Sequence, residues 1–391
     1  MMKISLGVLF GGRSVEHEIS ILSALQVINA VDSTFFRVVP VYISKEGHWF
    51  SGADLLEIDN YRNLDSVMRH CTRVVPIGHN EQLLLQRYPA SPFRRNLIDS
   101  IDVAFPVTHG TFGEDGCLQG MLEMYGIPYV GCDVTASALG MDKIRFKEIC
   151  RQYGLPMVDY LWMSNKAWFS QSDAFKDDVQ LRIGFPAIVK PANLGSSIGV
   201  TVVQSENDID DAIDLAASFA DRIIVEKLVP NLLEINCAVM GDGDETSASV
   251  CEEPLRSADF LSFADKYQSK SSGAKGMQSA LRKIPAEIDE DLSRTIQNLA
   301  RQTFLAVGAC GVARIDFLVD RTARQVYVNE INAIPGSMSF YLWQPSGITF
   351  AALIKKLVEL ALKRQREKSR LMRSNPTNIL ALTSKSGGSK Q

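Results

Sequence analysis

The sequence predicts an α/β protein made of three consecutive units, and three observations predict it. At 391 residues the chain exceeds what one core ordinarily serves, since a domain holds roughly 150 residues. Apolar runs of strand length alternate with helical periodicity, as at residues 4–10, Gly11 and Gly12, and a helix from about Val15. Late in the chain, residues 312–332 read as a β-hairpin whose polar residues recur two apart.

Composition excludes several classes. Hydrophobic residues make up 46% and charged residues 22%, and no apolar run nears the ~18 residues that span a bilayer, so no membrane insertion is expected. The apolar start stops at Gly11 and runs into Arg13, Glu16 and Glu18 without a small-residue cleavage site; it reads as a buried strand rather than a signal peptide. Seven cysteines form no CxxC pair, which argues against a disulfide framework or zinc site and for a reducing cytoplasm. The net charge is −4, yet residues 363–391 carry eight Lys or Arg against the single Glu367. We expect a solvated helix end and a disordered basic tail over 367–391; no aromatic residue there offers a stacking platform, and no nucleic-acid partner is expected.

The first unit, residues 1–131, opens with the strand at 3–10 and a helix N-capped by Ser14. Strands at 36–43 and 102–107 follow, giving a βαβ alternation that predicts a parallel sheet with functional loops at its carboxyl ends. Residues 47–98 are irregular and uninformative. The second unit, 132–230, holds a helix at 142–153, a strand at 187–190, a glycine-rich turn at 195–199 and strands at 200–203 and 223–227. The third, 231–366, holds a strand at 235–240, a polar loop at 269–276, a helix at 289–307, the hairpin and a last amphipathic helix at 349–366.

The hairpin carries the strongest constellation. Residues two apart on a strand share a face, so Arg314 and Asp316 point one way, as do Glu330 and Asn332. A turn centred near Ala323 puts Asp316 opposite Glu330 and Arg314 opposite Asn332. Two carboxylates and a carboxamide are hard oxygen ligands suited to Mg²⁺ completed by phosphate and water; ordinary cross-strand polar pairs on a solvent face fit the same pattern. Upstream, Lys190 ends a strand that leads into Gly195-Ser-Ser-Ile-Gly199, where glycines permit close phosphate approach, although Gly/Ser turns are common. Lys143 could add a second cation. The strand end at Glu226, Lys227 and Val229 can present donors and acceptors to an adenine ring, or be a buried strand end. His109 and Glu114 mark a loop where a substrate would sit, and a histidine there as readily caps a turn.

Four motifs fall in order: Phe10-Gly-Gly-Arg-Ser-Val-Glu-His-Glu-Ile-Ser20, His109-Gly-x-x-Gly-Glu-Asp-Gly-x-Leu-Gln-Gly120, Lys190-Pro-x-x-x-Gly-Ser-Ser-x-Gly199 and Arg314-Ile-Asp-(x)13-Glu-Ile-Asn332. Together they resemble the D-alanine–D-alanine ligase family of the ATP-grasp superfamily, from Ile4 to about residue 362. The resemblance implies three domains, with ATP between the second and third and two Mg²⁺ (or Mn²⁺) ions on Asp316, Glu330 and Asn332. It implies phosphate contacts from Lys143, Lys190 and Lys266, adenine contacts from Glu226, Lys227 and Val229, and a ribose contact from Glu234. Glu16 would hold the first amino acid's ammonium, linked through Ser196 and Tyr267 to a mobile loop. Arg314 and the Gly336 N–H would stabilise an oxyanion, while His109, Glu114, Tyr341 and Leu342 would line the substrate sites.

By the same resemblance the product would serve peptidoglycan precursor synthesis, the partners would be small amino acids, and the protein would be a homodimer. Three features depart from the family: Tyr341 stands where it places a serine for the second substrate's carboxylate, the loop at 267–282 is longer and more basic, and Pro230-Asn-Leu-Leu-Glu234 is one residue longer without the usual glycine. The readings to separate are thus a D-alanine–D-alanine ligase, a related ligase for another amino acid or a peptide, and a catalytically silent nucleotide-binding regulator.

Overall fold

The computed structural model describes residues 3–195, 197–243, 245–255 and 282–372. Its first sheet is built from β1 (Ile4–Gly11), β2 (Phe36–Ile43), β3 (Trp49–Ser51), β4 (Thr72–His79), β5 (Gln82–Arg87), β6 (Leu97–Ile101) and β7 (Val103–Pro106), in the order β6-β5-β4-β3-β2-β1-β7. Only β1, β2 and β7 are mutually parallel, with Leu6 opposite both Val38 and Val103. The expected parallel sheet is therefore corrected to a mixed one. Residues 47–98 supply an antiparallel extension, which short connections can make because only parallel strands need long crossovers. The tightest of these is the two-residue turn Asn80-Glu81, both at positive φ (49° and 60°).

Helix α1 (His17–Ala30) begins two residues later than the sequence suggested. Ser14 does not cap it; its Oγ accepts the Glu16 N–H at 3.1 Å, a local turn that holds Glu16 just outside the helix. After α2 (Leu64–His70) and α3 (Cys117–Tyr125) come α4 (Val134–Met141) and α5 (Lys143–Gln152). Asp142 starts α5 by accepting the N–H groups of Ile144 and Arg145. A four-stranded antiparallel sheet then forms from β8 (Tyr160–Ser164), β9 (Ala187–Pro191), β10 (Thr201–Val203) and β11 (Arg222–Lys227), with helices α6 (Asn165–Arg182) and α7 (Ile209–Ala217).

The third sheet runs in the order β14-β13-β12-β15-β16, from β12 (Leu232–Gly241), β13 (Thr246–Pro254), β14 (Arg282–Lys283), β15 (Gly311–Asp320) and β16 (Gln325–Asn332). Strand β12 starts three residues before the expected position, so Glu234 lies on the strand opposite Leu318 rather than in a linker. Helices α8 (Glu290–Ala306), α9 (Phe340–Trp343) and α10 (Phe350–Ser369) complete the fold. Thr349 caps α10, which continues three residues past the expected end; the tail from residue 373 onward lies outside the described residues.

The cores cross the expected unit boundaries. Trp343, Leu353 and Leu357 share one buried cluster with Leu6, Val8 and Phe10 of β1, so α9 and α10 cover the first sheet. Likewise Cys132, Ala136, Phe146 and Cys150 join the cluster of Ile235, Cys237, Ile315 and Phe317 beneath the third sheet. All seven cysteines carry free thiols, and among the described residues no helix is long and apolar enough to cross a membrane.

Candidate active site

The third sheet presents a polar row at one register across four strands: Glu252 on β13, Asn236 on β12, Asp316 on β15 and Glu330 on β16. Arg314 and Asn332 stand side by side two residues along. The opposite face carries Cys251, Cys237, Ile315 and Ile331 in the core, which fixes which side the polar groups occupy. The hairpin register matches the sequence expectation residue for residue at Arg314–Asn332 and Asp316–Glu330. A bulge then shifts pairing by one from Phe317 onward.

Within the row, Arg314 grips Asp316 with two bonds of 2.7 Å, and Asn332 donates to the same carboxylate at 3.1 Å. Glu330 meets Lys143 at 3.1 Å, and Lys143 also donates to the Leu194 carbonyl at 2.8 Å. The Lys143 charge holds the Glu330 carboxyl down at about 2, against the cost of burial. For Asp316 burial wins and its carboxyl is raised despite Arg314. Among the described residues no three His, Cys, Asp or Glu side chains cluster as ligands. A cation here would draw on two carboxylates, the Asn332 carboxamide, phosphate oxygens and water, a hard oxygen set that fits Mg²⁺.

Next to this patch, Glu226 is 1% exposed between two ammonium groups, Lys190 at 2.8 Å and Lys147 at 3.2 Å. Burial alone would raise its carboxyl; Lys147 and Lys190 bring it down to about 2. The Lys190 ammonium is influenced by the charges of Glu226, Glu330 and Glu234, so these four residues face one region between the second and third sheets. Val229 is buried beside Val158 and Leu318, whereas the Lys227 side chain is exposed and its N–H donates to the Asp159 carbonyl at 2.9 Å.

Two glycine-bearing loops approach Glu16. A Cβ on Gly110 (φ +72°) would lie 2.9 Å from Glu16 Oε2, and one on Gly195 would lie 3.2 Å from it. Glu114 ties this corner to the chain just past the β15–β16 hairpin: its carboxyl oxygens accept the Gly110 N–H at 2.8 Å and the Ile334 N–H at 2.9 Å, two residues before Gly336. Burial, with the nearby Glu16 charge, raises the Glu114 carboxyl to about 8. His109 bonds Ser23 Oγ at 3.0 Å, and Ser23 also accepts the Ser337 N–H at 3.2 Å. Burial lowers the His109 pKa. Tyr341 is buried with the Arg282 guanidinium 4.2 Å over its ring, and Leu342 is fully buried in the core, so only its backbone can face a substrate. Ser196, Lys266 and Tyr267 lie outside the described residues.

Sequence reading missed Lys147, Asn236 and Glu252. Lys147 lies four residues after Lys143 on α5, a helical spacing that was available. Asn236 and Glu252 carried no local signal because their strands join the row only in the folded sheet.

These three sheets, with a cleft of lysines and carboxylates between the second and third, define a protein of the ATP-grasp fold. Family models agree on the narrower group: the D-ala D-ala ligase N-terminus matches residues 5–132 and the D-ala D-ala ligase C-terminus residues 149–359. A D-alanine–D-alanine ligase of Thermosipho melanesiensis is 38% identical over 381 residues, covering 97% of this chain and 99% of that protein. One from Bacillus pumilus is 37% identical, covering 94% and 98%. Among solved structures, the D-alanine-D-alanine ligase of Coxiella burnetii superposes with TM-score 0.78 at 29% identity, over 95% of this chain and 98% of that one. The VanG D-Ala:D-Ser ligase of Enterococcus faecalis gives 0.76 at 28%, over 92% and 100%. The chain belongs to the D-alanine–D-alanine ligase family.

Proposed function

We propose that the protein is an ATP-dependent ligase that joins two D-alanine molecules for peptidoglycan precursor synthesis, in the cytoplasm and as a homodimer. The observation that carries this reading is the pairing of the Arg314, Asp316, Glu330 and Asn332 patch with Lys143 and Lys190 in one cleft. Asp316, Glu330 and Asn332 would hold two Mg²⁺ ions, whose charge would offset that of the terminal phosphates. Lys143, Lys190 and Lys266 orient those phosphates. Glu226, Lys227 and Val229 border the adenine, and Glu234 the ribose.

Glu16 holds the ammonium of the first D-alanine, supported by Ser196 and Tyr267. A carboxylate oxygen of that first D-alanine bonds to the γ-phosphorus as ADP leaves, giving D-alanyl phosphate. The second amine then attacks the acyl carbon, and phosphate departs with the carboxylate-derived oxygen. Arg314 and the Gly336 N–H face the oxygen that gains charge, a role worth about 3 kcal/mol of barrier per donor. His109 and Glu114 hold the loops around this centre in place.

Phosphate release is measured with ATP, Mg²⁺ and D- or L-alanine. The reading expects release with D-alanine alone and a dipeptide product; ATP binding without turnover would instead favour the silent regulator. A second reading, in which another amino acid or a peptide is the acceptor, draws on Tyr341 at the acceptor end. A panel of acceptors with D-alanine held constant separates the two.

A further inference from the structure

A second charged hollow lies on the antiparallel extension of the first sheet. It is a groove of about 490 Å³ lined by Arg69 of α2, Arg73 of β4, Arg87 at the end of β5 and Arg94 in the loop that follows, with no Asp or Glu in its wall among the described residues. None of these four guanidiniums forms an ion pair among the described residues, whereas Arg37, Arg145 and Arg222 each hold a carboxylate. Residues 69–95 carry five arginines, no lysine and the single acid Glu81, which sits in the turn beyond the other end of β4, roughly 23 Å away along the strand. The loop that walls the groove is tied down: the Arg87 N–H donates to the Asn96 carbonyl at 2.7 Å and the Ser91 N–H to Asn96 Oδ1 at 2.8 Å. Arg73 is aimed by the Tyr88 ring, over which its guanidinium lies at 5.1 Å. In register, Arg73 follows Phe50, Tyr42 and Phe10, three strands or about 14 Å from β1, so the groove is no part of the cleft between the second and third sheets.

Like charges gathered around a hollow repel one another and oppose the compact state. A chain with 45 Asp and Glu against 41 Lys and Arg does not lack acids to set among them, so their absence from the wall leaves the charge for an outside anion to neutralise. Arginine's planar fork grips two oxygens of one oxyanion at once. Four such forks call for a compact anion of several charges, which phosphate groups supply at about −1.5 to −2 for a monoester. The volume falls in the range of roughly 300–1,000 Å³ that small-molecule sites occupy. We propose that this groove is a second anion site, which takes a small molecule carrying a chain of two or three phosphates, free or attached to a nucleoside. Half-buried Arg73 and Arg87 grip the chain from the wall, and exposed Arg69 and Arg94 close on it from the mouth. The site stands independently of the ligase reading.

The test is calorimetric titration of the full chain with inorganic tripolyphosphate at low salt and without Mg²⁺, in a Lys190→Gln background that weakens the ATP cleft and leaves the groove intact. Binding is expected there, and adding Arg73→Gln with Arg87→Gln should weaken it roughly tenfold or more, as should Arg69→Gln with Arg94→Gln. Both arginine pairs, placed in the wild-type chain, should keep the wild-type unfolding midpoint and ATP affinity, which shows that the fold and the cleft survive. A parallel titration with GTP separates the two sources: equal affinities assign the bare phosphate chain, and tighter GTP binding that both arginine pairs abolish assigns a nucleoside polyphosphate. No binding in the Lys190→Gln protein, or binding that both arginine pairs leave within twofold, overturns the site. Capture of a single-stranded oligonucleotide that tripolyphosphate does not displace overturns the small-anion assignment.

Discussion

At the scale of single residues, Glu330 is the plainest test of the metal patch. Lys143 keeps its carboxylate ionised, so removing the carboxylate leaves a partly buried ammonium without its ion-pair partner and removes a proposed metal ligand. Glu330→Ala should lower turnover by more than the roughly 100-fold typical of disturbing even a ligand's supporting partner; near-normal activity would show the patch holds no ion. Glu114 gives a pH signature. Its carboxyl is raised from 4.5 to about 8, so between those values the folded protein keeps a proton that the unfolded chain has released. Its contribution is fully present below pH 4.5 and lost as pH rises through 8. Denaturation midpoints across pH 4.5–8 should fall more steeply for wild type than for Glu114→Gln, and parallel curves would refute the assignment. The Arg314–Asn332 and Asp316–Glu330 pairs were legible because a hairpin's register follows from its turn. Glu252 was not, since it reaches Asp316 only through Asn236 on a separate strand.

Among the elements, the segment after Pro335 is the most unusual. Ser337, Met338 and Ser339 are consecutive non-glycine residues with φ of 50°, 56° and 50°, and left-handed backbone costs roughly 1–2 kcal/mol for each. The turn is retained where the chain passes from Gly336 into α9 and Tyr341. Ser339 is fully buried, and among the described residues its hydroxyl has no hydrogen-bond partner. Ser339→Gly should therefore stabilise the protein by about 1 kcal/mol in thermal or urea unfolding; a loss of stability would mean the hydroxyl is satisfied. Helices α5 and α8 were legible from Asp142 and Asp289, which cap them. The start of α1 was misplaced because Ser14 serves a local turn instead. The strands between 47 and 98 were illegible because β4 buries a single residue, giving no clean alternation, and its turn at Asn80-Glu81 carries no glycine.

On the scale of the whole molecule, the three units read from the sequence share their cores. Leu357 of α10 is fully buried in the cluster that contains Leu6 and Phe10, some 350 residues away in the chain. Leu357→Ala should cost about 2–5 kcal/mol and destabilise the first sheet along with the C-terminal helix. Amide exchange confined to α10 would contradict that coupling. Such sharing leaves no trace in local periodicity, which reports that a face is apolar but not what covers it.

The central claim is that a carboxylate is activated by phosphoryl transfer before an amine displaces the phosphate. D-alanine labelled with ¹⁸O in both carboxylate oxygens tests it most directly, by mass analysis of the phosphate released as dipeptide forms. The account predicts one ¹⁸O atom transferred to each phosphate, with the other retained in the new peptide carbonyl. Dipeptide formed alongside unlabelled phosphate would contradict it.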